Sequence, residues 1–359
     1  MSHNTQPVVI IGGGQSGLAA ARAVRNAGLR PLVLEAGDRP VGSWPRYYDS
    51  LTLFSPSQYS SMPGAPFGGN PDRYPTRDEV VAYLQGYADD LGVEIRTGTR
   101  AAAVEAYGAG FVVHTDAGDS ITAGGVVAAS GSFTNPYVPV LPGRDGFTGQ
   151  VLHVADYRNP APYVGRRVVV VGAGNSAVQV GYELGQVAKV TLATRAPLLF
   201  LPQRQEGKDL HYWLETLGFD ELPPAWLARL ITGVPVLDDG VYSKAEGAGV
   251  FDRREMFTAF DGDKLVWADG EREQVDVVLF ATGYRPSLEY LTGLGALDSD
   301  GMPLHMGGIS LTHPGLVYVG LEFQRSFSSN TLRGAHRDAD YVVGPLAAHV
   351  AGAASVLGA

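Results

Sequence analysis

A motif that occurs twice restricts the fold of this chain more than any other feature. Val8 to Ile11 is a four-residue apolar run that leads into Gly12-Gly13-Gly14-Gln15-Ser16-Gly17, and a helical pattern, LAAARAVRNAG, follows. A run this short and this apolar suits a strand buried on both faces, and hence a parallel sheet. Gly12, Gly14 and Gly17 stand in G-x-G-x-x-G register. Gly28 closes the helix, and a second strand over 32–34 ends at Glu35, 23 residues after the first glycine. Strand, glycine turn, helix and strand ending in an acid make a complete βαβ unit of dinucleotide-binding type. The glycines let a pyrophosphate approach the backbone at a helix N-terminus, and the carboxylate accepts from ribose hydroxyls.

The pattern starts again at Val168. Four valines precede GAGNSA, with Gly172, Gly174 and Ala177 in G-x-G-x-x-A register, then a helix (VQVGYELGQV) and a strand (VTLATR). Without a gap the copies align at a constant spacing of 160, which sets Gly12 on Gly172, Gly14 on Gly174, Gly17 on Ala177 and Glu35 on Arg195. Such an internal repeat predicts two nucleotide units in one chain. A carboxylate at the second strand's end suits free ribose hydroxyls, whereas a guanidinium suits a 2′-phosphate. The first unit is expected to take a nucleotide without that phosphate and the second to prefer NADPH.

Composition narrows the chemistry. The 359 residues favour two domains. The chain has no cysteine, which excludes disulfides, thiolate metal sites and a C-x-x-C redox relay. Net charge is −10 and basic residues form only short pairs such as Arg166-Arg167 and Arg253-Arg254, so no nucleic-acid partner is expected. The eight histidines show no H-x-x-x-H pair, and no metal site is expected. MSHNTQP runs directly into a strand. The Ala- and Val-rich stretch 341–358 carries Pro345 and His349 and reads as a terminal helix, so the expectation is a soluble, cytoplasmic protein without membrane contact.

Residues 42–75 read as a long aromatic loop that packs as an Ω-loop, lines a pocket, or does both. Thr76 and Glu79 form a capping box ahead of a helix. Residues 101–122 suggest an antiparallel meander. GGVVAASGS returns as a buried strand ending at Ser130-Gly131, and 275–281 is another, ending in Ala281-Thr282-Gly283. HYWLETLGF and ELPPAWLARLITG read as helices, and Gly320 follows a strand over 316–319 with a helix expected from about Thr331.

Between the two units lies F-x-G-x-x-x-H-x-x-x-Y-R: Phe147, Gly149, His153, Tyr157 and Arg158. With the paired glycine motifs, the Gly42-Ser43-Trp44 loop and the ATGY strand, this pattern resembles the class B flavin-containing monooxygenases across nearly the whole chain. The SPSQYSSMPG loop, the YPTRDEVVAYL helix and SNTLRG are most similar to small bacterial flavoproteins encoded near arsenic-resistance genes. The resemblance implies an α/β fold of two Rossmann-like three-layer domains, the NADPH domain inserted into the FAD domain, with residues 1–155 and 286–359 for FAD and 156–285 for NADPH.

It further implies bound FAD, reduction by NADPH, and transfer of one oxygen atom from a 4a-hydroperoxyflavin to a soft heteroatom (N, S or As) of a small molecule. The alternative is an NADPH-dependent flavin reductase or oxidase that feeds a quinone, oxygen or a partner protein. By carry-over the FAD residues are Gly12, Gly14, Gln15, Ser16, Gly17, Glu35, Ala36, Gly42, Ser43, Trp44, Ser130, Gly131 and Gly320. Those for NADPH are Gly172, Gly174, Asn175, Ser176, Ala177, Thr194, Arg195, Ala281, Thr282 and Gly283. The family's near-flavin asparagine has no counterpart in LFSPSQYS, so Ser55 or Gln58 are the candidate donors. His153 is expected to order the linker rather than act as a base. A homo-oligomer is left open.

Overall fold

The computed structural model describes residues 6–230 and 235–352. Strand β1 (Val8–Ile11), helix α1 (Gln15–Asn26) and strand β2 (Pro31–Leu34) form the first βαβ unit. α1 turns Leu18, Val24 and a row of alanines onto the sheet, and the chain turns at Gly28 with φ +77°. Helix α2 (Arg77–Asp90) starts at the Thr76–Glu79 capping box and leads to β3 (Glu94–Arg96). β4 (Ala101–Tyr107), β5 (Gly110–Thr115) and β6 (Ser120–Ala123) form the meander, and β7 (Gly125–Ala128) re-enters beside β1.

The chain then builds a second body. β8 (Gln150–His153) is followed by β9 (Arg167–Val171), α3 (Asn175–Gly185) and β10 (Lys189–Thr194). A small-element region follows: β11 (Phe200–Pro202), β12 (Arg204–Gln205), β13 (Lys208–Asp209), α4 (Leu210–Thr216), α5 (Pro224–Leu230), β14 (Val236–Asp238) and α6 (Val241–Gly247). Of the helix expected over 221–233, Glu221 ends a short 3-10 turn and Leu222-Pro223 precede α5, because the two prolines start the helix only at Pro224; residues 231–233 lie outside the described residues. β15 (Asp252–Glu255), the meander β16 (Ala259–Asp261), β17 (Lys264–Val266) and β18 (Arg272–Gln274), and β19 (Val277–Phe280) complete this body. β20 (His305–Met306), β21 (Ile309–Ser310), β22 (Leu316–Tyr318) and α7 (Ala335–Val350) return to the first. α7 begins four residues later than expected and ends at Val350, with a turn at Ala351-Gly352; residues 353–358 of the expected terminal helix lie outside the described residues.

The first sheet runs β20-β21-β22-β7-β1-β2-β3, parallel from β22 to β3; the second runs β15-β10-β9-β19-β8, parallel throughout. The two follow one scheme, with a helix layer on one face and a meander on the other. The second body is thus inserted between β7 and the strands that finish the first sheet. One detail departs from the sequence reading. β8 lies upstream of residue 155 yet pairs with β19 in the second sheet, with His153 beside Phe280. Its half-exposed QVLH pattern marks an edge strand, and such a pattern does not say which sheet the strand joins. Among the described residues, no helix is long and apolar enough to cross a membrane.

Candidate functional site

A cleft of about 680 Å³ opens at the carboxyl ends of the first sheet's parallel strands, where open α/β sheets bind ligands. The volume falls within the roughly 300–1,000 Å³ of cofactor pockets. Gly12, Gly14, Gln15 and Ser16 form its floor, and Glu35, Ala36, Gly42, Ser43, Trp44, Ser130, Gly131 and Gly320 all line it. Gly17 lies beneath, where a Cβ would stand 1.8 Å from the Gly12 carbonyl oxygen. Gly12 holds φ +109°, and its own Cβ would meet the Ala129 carbonyl oxygen at 2.4 Å. These contacts allow α1 to point its N-terminus into the cleft.

The electrostatics suit an anion. Gly14 caps α1 without a side-chain bond and the first turn carries no acid, so the free N–H groups remain available to phosphate. Glu35 is 7% exposed; its two oxygens accept from Gly13 N (2.7 Å) and Gly37 N (2.6 Å), which fixes the carboxylate at the cleft edge with lone pairs to spare. Trp44 Nε1 donates to Gln15 Oε1 (3.0 Å), and Gln15 Nε2 donates to the Asn330 carbonyl (3.2 Å). The glycine cradle, the uncapped helix and the buried acid together fit a dinucleotide such as FAD.

The second unit repeats the cradle. Gly172 has φ +144° with its Cβ position 2.5 Å from the Ala281 carbonyl oxygen, Ala177 is fully buried beneath it, and Gly174 caps α3 with no acid in the first turn. Asn175 Oδ1 accepts from Leu237 N (3.0 Å), Thr282 Oγ1 donates to the Tyr137 carbonyl, and Gly283 has φ +85°. Ser176 is partly buried beside Asn175. Thr194 is buried and Arg195 exposed.

The strand pairing revises one alignment. Ile11 faces Leu34 in the first unit, but Val171 faces Ala193 in the second, and Gly12 N and Gly172 N donate to Leu34 and Ala193 respectively. The second strand has therefore slipped by one residue. Thr194 occupies the place of Glu35, and Arg195 that of Ala36. An ungapped alignment cannot register a one-residue difference in loop length between helix and strand.

Ser55 and Gln58 do not line the cleft. Ser55 Oγ bonds Ser60 Oγ (2.8 Å) within its own loop, and exposed Gln58 Nε2 donates to Asp72 Oδ1 (3.0 Å). Asn330 does line it, brought by the segment before α7. Its signal in the sequence is SNTLRG, far along the chain from the LFSPSQYS loop. The loop itself packs on α2, with Phe67 stacked on Tyr83 at 4.4 Å and Tyr83 hydrogen-bonded to Met62 N and the Ala65 carbonyl.

His153 is buried, its Nδ1 accepting from Ala155 N (3.1 Å) and its ring edge-on to Tyr284 at 4.9 Å. Burial pushes its pKa below 6.5, against the pull of the Gly283 backbone and Asp156. Tyr284 stacks on Phe133, and Phe133 packs on Tyr47; all three line the cleft. Fully buried Tyr157 donates to Glu183 Oε2 (2.8 Å) on α3, and Arg158 donates to the Arg46 carbonyl, which ties the Trp44 turn to the second body. Tyr48 OH adds a bond to Gln179 Oε1 (2.5 Å).

Sequence reading missed a further cluster. Asp209 accepts from Tyr74 OH (2.6 Å) and Gln203 Nε2 (2.8 Å) and pairs with His211 Nδ1 (2.7 Å), and His211 lies between Phe54 and Tyr59. Burial opposes ionisation of Asp209, but the His211, Tyr74 and Gln203 hydrogen bonds outweigh it and hold the carboxyl below its ordinary value. Burial lowers His211, and Asp209 pulls it the other way. No spacing rule links Tyr74 to residues 203–211.

Known proteins give the same picture. The family described as "Pyridine nucleotide-disulphide oxidoreductase" matches residues 9–231. An "uncharacterized oxidoreductase CzcO-like" of Geobacillus kaustophilus is 30% identical over 95% of this chain and 98% of its own length. Indole-3-pyruvate monooxygenase YUCCA1 of rice (Oryza sativa subsp. japonica) is 30% identical over 78% of this chain and 77% of its own. The structure of a flavin-containing monooxygenase from Stenotrophomonas maltophilia superposes with a TM-score of 0.84 at 31% identity, covering 96% of this chain and 98% of that one. With its two cradles and its linker, the chain belongs to the class B flavin monooxygenases, a family of oxidoreductases that use FAD and NADPH.

Proposed function

We propose that the chain is an NADPH- and FAD-dependent monooxygenase that places one atom of O2 on a nitrogen, sulfur or arsenic atom of a small molecule. One observation carries this reading: two dinucleotide cradles stand in a chain without a single cysteine. Hydride that enters such a protein has no internal thiol pair to reduce, so the electrons must leave to oxygen or to an external acceptor. Held by Gly12, Gly14, Glu35 and the start of α1, FAD would supply the hydride acceptor and the oxygen-reactive centre.

The protein's own residues bind, orient and exclude water. Backbone N–H groups at the start of α1 hold the first pyrophosphate and Glu35 the first ribose; the start of α3 and Arg195 hold the second nucleotide. Tyr47, Phe133 and Tyr284 wall the cleft next to the linker, and His153 braces that wall as a neutral imidazole. Aromatic walls keep water from a reactive site.

The reaction is tested by supplying 18O2 and NADPH with amines, thioethers, arsenite and, after the rice relative, indole-3-pyruvate. One labelled oxygen in the product, with NADPH consumption that depends on substrate, is the expected result. NADPH consumption that appears entirely as hydrogen peroxide, or that is far faster with an artificial quinone, would instead identify an oxidase or reductase.

A further inference from the structure

The one-residue slip leaves Thr194, a short neutral side chain, where the first unit has Glu35. A neighbouring strand fills the place. β15 lies parallel to β10 at the sheet edge, with Arg253 in register beside Leu192. The Arg253 side chain reaches along the strands, and its Nε donates to Thr194 Oγ1 at 2.8 Å. Thr194 Oγ1 in turn donates to the Ala196 carbonyl at 2.7 Å, so the hydroxyl is oriented to accept. The half-buried guanidinium is thus bonded to the residue that stands in the place of Glu35, and it brings positive charge where the first unit has a carboxylate.

Its neighbour shows that this arrangement is particular to Arg253. Arg254 lies over the Trp267 ring at 4.1 Å and is satisfied by Asp269, Glu271 and Glu273. Arg253 has no carboxylate partner among the described residues; its Nε–Thr194 bond leaves both terminal nitrogens available. Arg195 is exposed at the end of β10, likewise without a carboxylate partner among the described residues. Glu255 stands at the exposed end of β15, so the group keeps a net positive charge. Two guanidinium groups, one pre-oriented by a buried hydroxyl, suit a dianionic phosphate monoester on a ribose.

We infer that Arg253, positioned by Thr194, is a second specificity-determining residue beside Arg195 for the 2′-phosphate of a nucleotide in the second cradle. The inference rests on the NADPH reading of that cradle and adds to it a residue from a different strand.

Isothermal titration of the FAD-loaded protein with adenosine 2′,5′-bisphosphate and with 5′-AMP tests it without turnover. The wild type is expected to prefer the bisphosphate. Arg253→Gln should lower that preference about tenfold or more, as loss of a charge-assisted bond does, and leave 5′-AMP binding unchanged. Arg253→Lys should restore part of the preference, because the charge returns without the Nε bond. Thr194→Val should cost less than Arg253→Gln. A preference unchanged in Arg253→Gln but abolished in Arg195→Gln overturns the inference and leaves the NADPH reading standing. A wild type that binds both ligands equally overturns the NADPH reading itself.

Discussion

At the scale of single residues, burial governs four of the histidines. His153, His211, His305 and His336 all have pKa values pushed below 6.5, burial being the largest cause in each. Such a group costs nothing while it is neutral in both states. Below its unfolded value the unfolded chain takes up protons that the folded chain refuses, so stability falls as pH drops from 6.5 through the folded values. The melting temperature is expected to hold from about pH 8 to pH 7 and to decline by about pH 5.5. Calorimetry that finds no change between those limits would mean that these rings are charged in the folded protein. For His153 the neutral state also fixes the tautomer: Nδ1 accepts from Ala155 N, so the proton lies on Nε2.

At the scale of elements, the two glycine turns differ in how closely helix and strand approach. Gly17 belongs to α1, where alanine is intrinsically favoured over glycine by about 1 kcal/mol. Its Cβ, however, would stand 1.8 Å from the Gly12 oxygen, and forcing the helix away costs about 1–3 kcal/mol or more. Gly17→Ala is therefore expected to lower stability in urea and to yield protein with reduced flavin content. The reverse change in the second unit, Ala177→Gly, has no clash to relieve and should cost only the lost helix propensity and a buried methyl. Unaltered flavin content in Gly17→Ala would show that the α1 N-terminus does not need this close approach. The glycine spacing was legible in the sequence because local turn geometry demands it. The slip of β10 was not, since it depends on partners across the sheet.

At the scale of the whole molecule, a few cross-links join the inserted body to the first. One is a buried ion pair made by Arg333 on the segment before α7. Its Nε and Nη2 donate to Asp220 Oδ2 and Oδ1, both at 2.8 Å, and the side chains are only 10% and 2% exposed. Removing one member strands a buried charge, which typically costs about 3–5 kcal/mol. Arg333→Ala should therefore move the denaturation midpoint far more than Arg272→Ala, which breaks an exposed pair with Asp261. The double change Arg333→Ala with Asp220→Asn should recover part of the loss. Equal effects from the two single variants would mean that the buried pair is dispensable. Arg333 follows Asn330 by three residues, so this pair also anchors a wall of the cleft.

The sequence alone determined that there are two nucleotide units, that Glu35 ends the second strand of one and a basic residue lies near that end of the other, and that no thiol can take the electrons. All of these follow from local rules: which residues a tight turn tolerates, which runs are apolar enough to be buried, and which side chains are absent. Only the tertiary structure decided that β8 serves the second sheet, that Asn330 rather than Ser55 or Gln58 reaches the cleft, and that Thr194, bonded to Arg253, stands where the first unit has Glu35. Each of these depends on parallel pairing or packing between segments far apart in the chain. Neither hydrophobic period nor motif spacing carries information about the lateral register of such partners.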